Sequence, residues 1–232
     1  VRPGEFYLNG VSSRDFDMYI QHRPTRQTPV RQLTDATASN RSGTRYRDRG
    51  TYVNSEIELS LVFLTRPDDT MIDAISEWFD LAEYGDFVPY YDEQYTYKVM
   101  VTSSIEFENT RSMVRAVTAT VKFSVFPYKY MNNTLNTIHA GQNLMIFNPT
   151  KYEAKPKIIL KGSGNVSLKI NDSQFTFVGM PYPFELDSES LKVSKLNVMQ
   201  ELDFPVLQPG KNTITTTASS FDIIPRLWRR AT

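Results

Sequence analysis

Two histidines, His22 and His139, are the only imidazoles in the 232-residue chain, and no cysteine accompanies them. A metal centre needs clustered His, Cys or carboxylate ligands. The two histidines lie far apart, both in stretches that read as loops, which makes them ordinary loop residues. Nucleophilic catalysis needs a serine or cysteine beside a base. No Gly-x-Ser-x-Gly elbow occurs, and Gly162-Ser163-Gly164-Asn165 sits between two strand-like segments, where it reads as a hairpin turn; a phosphate loop requires a helix after it. Paired carboxylates, as used in glycoside hydrolysis, are the remaining route. Asp68, Asp69, Asp73, Glu77 and Asp80 have the right chemistry. However, Asp69, Asp73, Glu77 and Asp80 fall at helical spacing opposite an apolar stripe, the pattern of a solvated helix face. The expectation is a protein that is not an enzyme, with no catalytic, metal-binding or cofactor-binding residues.

Two other constellations have chemistry of their own. Tyr84, Phe87, Tyr90, Tyr91, Tyr95 and Tyr97 are suited either to stacking sugars or bases or to strand edges and subunit contacts. Charge is balanced overall, 26 basic against 26 acidic residues, but unevenly spread. Residues 21–50 hold Arg23, Arg26, Arg31, Arg41, Arg45, Arg47 and Arg49 against Asp35 and Asp48, a net of +5. Residues 67–97 hold Asp68, Asp69, Asp73, Glu77, Asp80, Glu83, Asp86, Asp92 and Glu93 with no Lys or Arg, a net of −9. Three readings stand side by side. The two regions meet between subunits, in a head-to-tail contact that closes into a ring when the rotation allows. They are two solvated patches. Or the basic stretch touches phosphates.

The elements that position these residues are mostly strands. Hydrophobic residues make up 40% of the chain and aromatics 12%, with 14 Phe and 13 Tyr, enough for one large β domain or two small ones. The absence of cysteine removes a disulfide framework and fits synthesis inside a cell. No signal peptide is visible, and no apolar run approaches the roughly 20 residues of a membrane helix. Residues 5–8 read as a strand ending in the Asn9-Gly10 turn, and Phe16, Met18 and Ile20 alternate as a second. Residues 21–52 lose all periodicity and read as a long loop or an extended hairpin. Val53, Ile57, Leu59, Leu61 and Phe63 restore alternation. The apolar positions Met71, Ile72, Ile75, Trp78, Phe79 and Ala82 predict a helix over roughly 68–83, stopped by Gly85. Strands follow at 95–101 and 117–125, the latter running into Pro127. After residue 142 short strands recur about every ten residues, at 144–147, 157–160, 166–170, 175–178, 184–186, 191–193, 204–207 and 213–215, the spacing of a β-sandwich. The stretch Ser124-Val125-Phe126-Pro127-Tyr128-Lys129-Tyr130 separates the two halves.

The order of these features resembles the distal tail proteins, or Dit family, of long-tailed phages with non-contractile tails. The resemblance is carried by Phe6-Tyr7-Leu8-Asn9-Gly10, the Arg/Gly loop ending Asp48-Arg49-Gly50-Thr51-Tyr52, the strand 56–64, and Ile75-Ser76-Glu77-Trp78 in the single helix. It continues in Val125-Phe126-Pro127-Tyr128-Lys129-Tyr130, Phe147-Asn148-Pro149-Thr150, Lys155-Pro156-Lys157-Ile158, Leu207-Gln208-Pro209-Gly210-Lys211-Asn212 and Ile224-Pro225-Arg226-Leu227-Trp228-Arg229. It implies a mostly β fold: residues 1–130 as a β-barrel-like belt domain with one helix and a long hairpin that forms a ring, and residues 131–232 as a galectin-like β-sandwich. The last residues, with Trp228, either close the sandwich or return to the first domain. The resemblance further implies a homohexameric ring, single or stacked, at the tail tip of a virion made in the bacterial cytoplasm. The implied partners are the tail tube protein, the tail-associated hub protein and receptor-binding baseplate proteins, with DNA passing through the lumen and no membrane. In such a ring Arg41, Arg45, Arg47 and Arg49 of one subunit are expected to face Asp69, Asp73, Glu77 and Asp80 of the next.

The rival reading is a carbohydrate-binding module for host-surface adhesion. Sugar sites on such sandwiches combine an exposed aromatic with His, Arg, Asn and Glu from neighbouring strands, and residues 142–221 contain no His, Arg or Trp, which counts against it. Phe175, Phe177, Tyr182 and Phe184 remain as rings able to stack on a sugar.

Overall fold

The computed structural model describes residues 2–25, 27–36, 42–108 and 117–231. It is mostly β, with one α-helix among the described residues, and it divides into two compact units, residues up to Lys129 together with those from Arg230, and Tyr130–Arg229.

The first unit is built on one curled sheet. Its strands run in the order Val11–Ser12, Phe6–Leu8, Gly85–Pro89, Tyr95–Val101, Val117–Met131, Ser55–Phe63 and Met18–Ile20; Glu106–Glu108 and Trp228–Arg230 also pair with the long strand. A backbone bond from Ile20 N to Gly4 O at 2.7 Å draws the two ends of the sheet together. Alternation puts Val117, Ala119, Val121, Phe123 and Val125 inside, against Leu59, Leu61 and Phe63 of the neighbouring strand.

The helix Asp69–Phe79 closes this core. Asp68 caps it by accepting from Met71 N at 2.8 Å, and Ile75 and Phe79 are buried, each contributing about 1.5–3 kcal/mol of apolar burial. Trp78 stacks on Phe16 and Phe6 at centroid distances of 4.9 and 5.7 Å and donates its indole N–H to Leu8 O. The helix ends earlier than the apolar pattern predicts. Asp80 leaves helical geometry and Leu81 N turns back to Phe79 O, so Ala82 is not on the helix. Gly85 then opens the next strand instead of stopping the helix. A Cβ there would lie 2.9 Å from Asn9 Oδ1, which explains the glycine. The expected strand at 16–20 is also shorter: Ser13–Phe16 forms a 3-10 turn and Asp17 takes a left-handed conformation, leaving Met18–Ile20.

Residues 21–52 contain a β-hairpin. Arg31–Ala36 pairs with Arg45–Tyr52 as a two-stranded ribbon separate from the other sheets.

The second unit is a sandwich of two antiparallel sheets. One has the order Ile138–Ala140, Ser220–Ile224, Lys157–Lys161, Phe184–Asp187, Lys192–Val193; the other Asn143–Asn148, Gly210–Thr216, Gly164–Ile170, Ser173–Met180. Ile158, Leu160, Phe184, Leu186, Phe221 and Ile223 from the first meet Val166, Leu168, Ile170, Phe175, Phe177 and Ile214 from the second in one core. Gly162-Ser163-Gly164-Asn165 is therefore not a hairpin turn. It carries the chain from one sheet to the other, with Gly162 packed against Ala218.

Two further expectations are corrected. Residues 204–207 form no strand; Pro205 lacks an N–H for a ladder, and only Leu207 bridges, to Ala154. Pro127 does not end its strand, which continues to Met131, and the Pro127 carbonyl accepts from Ala231 N at 2.8 Å. The chain's final segment serves both cores: Leu227 is buried in the second and Ala231 in the first.

Candidate functional site

The hairpin carries the basic residues on an open ribbon. Every described residue of Arg45–Gly50 is exposed, Tyr46 to 64%. Thr34 lies opposite Arg47, and strand alternation puts Arg45 and Arg47 on one face. The register then breaks: Gln32 alone faces Arg49, Gly50 and Thr51 between the Leu33–Asp48 and Arg31–Tyr52 pairs. Gly50 supplies the positive φ of 76° that this bulge needs, and its N–H donates to Asp48 Oδ1 at 2.8 Å. Arg49, next in the same alternation, keeps to the arginine face, where its Nε donates to Thr34 Oγ1 at 2.7 Å. Three guanidinium groups thus share one side. On the other, Arg31 and Asp48 form an ion pair that keeps the Asp48 carboxyl below its usual range, the Gly50 N–H acting first and Arg31 second.

The ribbon is rooted by aromatic contacts. Tyr52 meets Tyr128 edge-on at 6.3 Å, and the guanidinium groups of Arg31 and Arg230 lie over its ring at 5.5 and 5.8 Å. Beyond that root it has no sheet partner among the described residues. An isolated two-stranded ribbon is marginal in water, so a surface that covers it stabilises it.

The acidic region is split by the fold. Asp86 pairs with Lys98 at 2.5 Å and Asp92 with Lys129 at 2.6 Å, so both are neutralised locally. Asp69, Asp73 and Glu77 are exposed on the helix, and Asp80 is exposed just past its end. Among the described residues, none of Arg45, Arg47 and Arg49 forms an ion pair with any of these four. Arg41 lies outside the described residues.

The other candidates disperse. His22 is exposed. His139 Nδ1 lies 2.8 Å from Asp222 Oδ1, and Lys161 Nζ bonds the same carboxylate at 2.8 Å. Burial raises the Asp222 pKa, but the bonds from Lys161 and His139 outweigh it and hold the carboxyl below its usual range. This is an ion network on the outer side of a sheet. Among the described residues no group of three or more His, Cys, Asp or Glu is placed to hold a metal. Phe175, Phe177 and Phe184 are core residues, and Tyr182 alone of that aromatic set is exposed, at 66%. Of the first-half aromatics, Phe87 and Tyr97 are buried and Tyr84 is exposed.

One polar cluster escaped the sequence reading. Lys129, 7% exposed, donates to Asp92 and to Tyr97 Oη and lies over the Tyr95 and Tyr97 rings. The signal was present: Lys129 occupies an inward phase of the long alternating strand, where a charge must find a partner.

No protein-family model matches the sequence, and no curated protein matches it. Among solved structures, the crystal structure of SPP1 Dit (gp 19.1), described as a paradigm of the hub adsorption apparatus in Gram-positive infecting phages, superimposes with a TM-score of 0.66 at 12% identity, covering 96% of this chain and 98% of that one. The fold is the Dit fold over almost its entire length. No helix among the described residues is long and apolar enough to cross a membrane.

Proposed function

We propose that this chain is a structural component of a phage tail, a distal tail protein that assembles as a homohexameric ring between the tail tube and the tail-associated hub and leaves a lumen for DNA. The observation that carries this reading is the end-to-end fold correspondence with SPP1 Dit, which accounts for both compact units at once. In this reading the first unit forms the ring and the second, a galectin-like sandwich, faces the baseplate proteins.

The geometry supports a specific contact within the ring. Alternate strand residues are spaced about 6.8 Å apart, and helix residues four apart rise about 6 Å. Arg45, Arg47 and Arg49, alternating along one face of the ribbon, therefore match Asp69, Asp73 and Glu77 nearly step for step, with Asp80 just beyond the end of the helix. A ribbon from one subunit laid along the helix of the next pairs these charges and covers the hairpin.

The test is the solution mass of the purified full chain by light scattering, with negative-stain imaging. A mass of six chains and a six-fold ring is the expected result. A monomer at every concentration and salt would count against the ring.

A further inference from the structure

The second unit has four sheet edges, and three are closed in ordinary ways. Ser173–Met180 is covered by a strap, with Val178 N donating to Val198 O at 2.9 Å and Gln200 N to Thr176 O at 3.0 Å. Lys192–Val193 has two residues, one of them a lysine, and Ile138–Ala140 has three. Short length, charge and covering are the usual protections of an edge.

The fourth edge, Asn143–Asn148, has none of them. It is six residues long, reads Asn-Leu-Met-Ile-Phe-Asn, and contains no charge and no proline. Among the described residues it pairs only with Gly210–Thr216. The phase of that ladder is fixed by Thr216 N donating to Gln142 O at 2.9 Å, which turns the even-numbered residues toward the partner strand. Asn143, Met145 and Phe147 thus direct both N–H and C=O outward from the sheet. The same residues carry large exposed side chains, Met145 at 62% and Phe147 at 67%. Backbone groups and apolar side chains are offered together, the combination that strand addition uses.

Charge selects the occupant. The four strands of this sheet contain no Asp or Glu, and two lysines, Lys169 and Lys211, stand exposed on its outer face, Lys211 directly opposite Phe147. Lys151 and Lys155 follow in the loop beyond the edge, where the one carboxylate, Glu153, is occupied by a bond from Gln208. A second copy adding through the same edge would bring two basic sheets together. We infer that Asn143–Asn148 is a strand-addition site for an extended acidic segment of another protein, in which apolar side chains alternate with carboxylates. This goes beyond the ring reading and does not depend on it.

The test is residue-resolved amide exchange on the full chain. The probes are a capped peptide alternating glutamate and isoleucine and its lysine–isoleucine counterpart. The acidic peptide is expected to slow exchange at Met145 and Phe147 by roughly tenfold or more, and the basic one to leave it unchanged. Met145→Pro removes an outward N–H without breaking the internal ladder and is expected to abolish the protection. Phe147→Glu, which keeps every backbone group, is expected to weaken it. Equal protection by both peptides, no protection by either, or protection that grows with protein concentration alone would each overturn the inference, the last by showing self-pairing.

Discussion

The proposed ring contact is exposed to a charge-reversal experiment. Replacing Arg45 and Arg47 by Glu removes two of the matched pairs and sets two like-charge contacts in their place. A surface ion pair changes affinity by roughly 1.5- to 5-fold, and a like-charge contact costs a similar factor in the other direction. Four such factors near the middle of that range multiply to roughly a thirtyfold weaker contact. Both residues lie on the exposed ribbon, away from either core, so the fold itself should persist. The assay is light scattering across a concentration series at 0.1 and 1 M salt, where the screening length falls from about 10 to about 3 Å. The wild type should dissociate as salt rises, and the reversed chain should be largely dissociated at low salt, where the wild type is assembled. Adding Asp73→Arg and Glu77→Arg to the same chain should restore assembly, because the contact is heterologous and each subunit supplies both halves. A reversed chain that keeps its full mass at either salt, or a fourfold variant that fails to recover, would refute the pairing.

Further outcomes concern stability, and the two tryptophans, Trp78 in the first unit and Trp228 in the second, report each unit separately by fluorescence. Lys129→Met strands Asp92 in a buried site and should destabilise the first unit by about 3 kcal/mol, with Asp92→Asn in the same chain recovering part of it, as read from denaturant midpoints. Gly85→Ala forces a Cβ against Asn9 Oδ1 and should cost about 1–3 kcal/mol in thermal unfolding monitored at Trp78. In the second unit Arg226 binds Asp187 through two bonds of 2.7 and 3.0 Å, with 19% and 17% of the two side chains accessible. Burial raises the Asp187 pKa, but Arg226 and the Ser190 and Glu189 N–H groups together lower it. Its contribution is therefore present above the unfolded carboxyl pKa and is lost as pH falls through the lower folded value. Arg226→Ala should cost about 2 kcal/mol at pH 7, and the gap to wild type should narrow below about pH 4; a gap constant from pH 7 to 3 would show that the pair is not its source.

Period-two alternation made the buried strands legible because each had one face to hide. The run from Val117 to Val125 is the clearest case, and Met71, Ile75 and Phe79 marked the helix equally well. Ends were less legible because they depend on contacts distant in sequence. The helix stops at Phe79 because the chain must turn to bring Gly85 beside Asn9, and nothing local to residues 80–84 says so. Pro127 reads as a break, yet its carbonyl finds Ala231, a residue about a hundred positions later. The charge asymmetry was visible in composition, but which acids remain for a partner was not. Asp86 and Asp92 are taken by Lys98 and Lys129, pairings that only the assembled sheet creates. The open edge at Met145 and Phe147 looked like any apolar strand, since exposure is a property of the neighbour that is missing.

The return of the chain to its first unit has a consequence for biosynthesis. Ala231 is buried in the core that Phe6, Leu59 and Phe123 share, and it completes the bonding of the strand that passes through Pro127. Even the last of them, Phe123, emerges from the ribosome about a hundred residues ahead of it. At translation rates of about 5–20 residues per second, the nascent sheet waits roughly 5–20 s for its last piece, while the intervening sandwich, continuous from Tyr130 to Arg229, is being made. A chain that stalls before Ala231 thus carries an unfinished first unit, and only one read through Ala231 completes it.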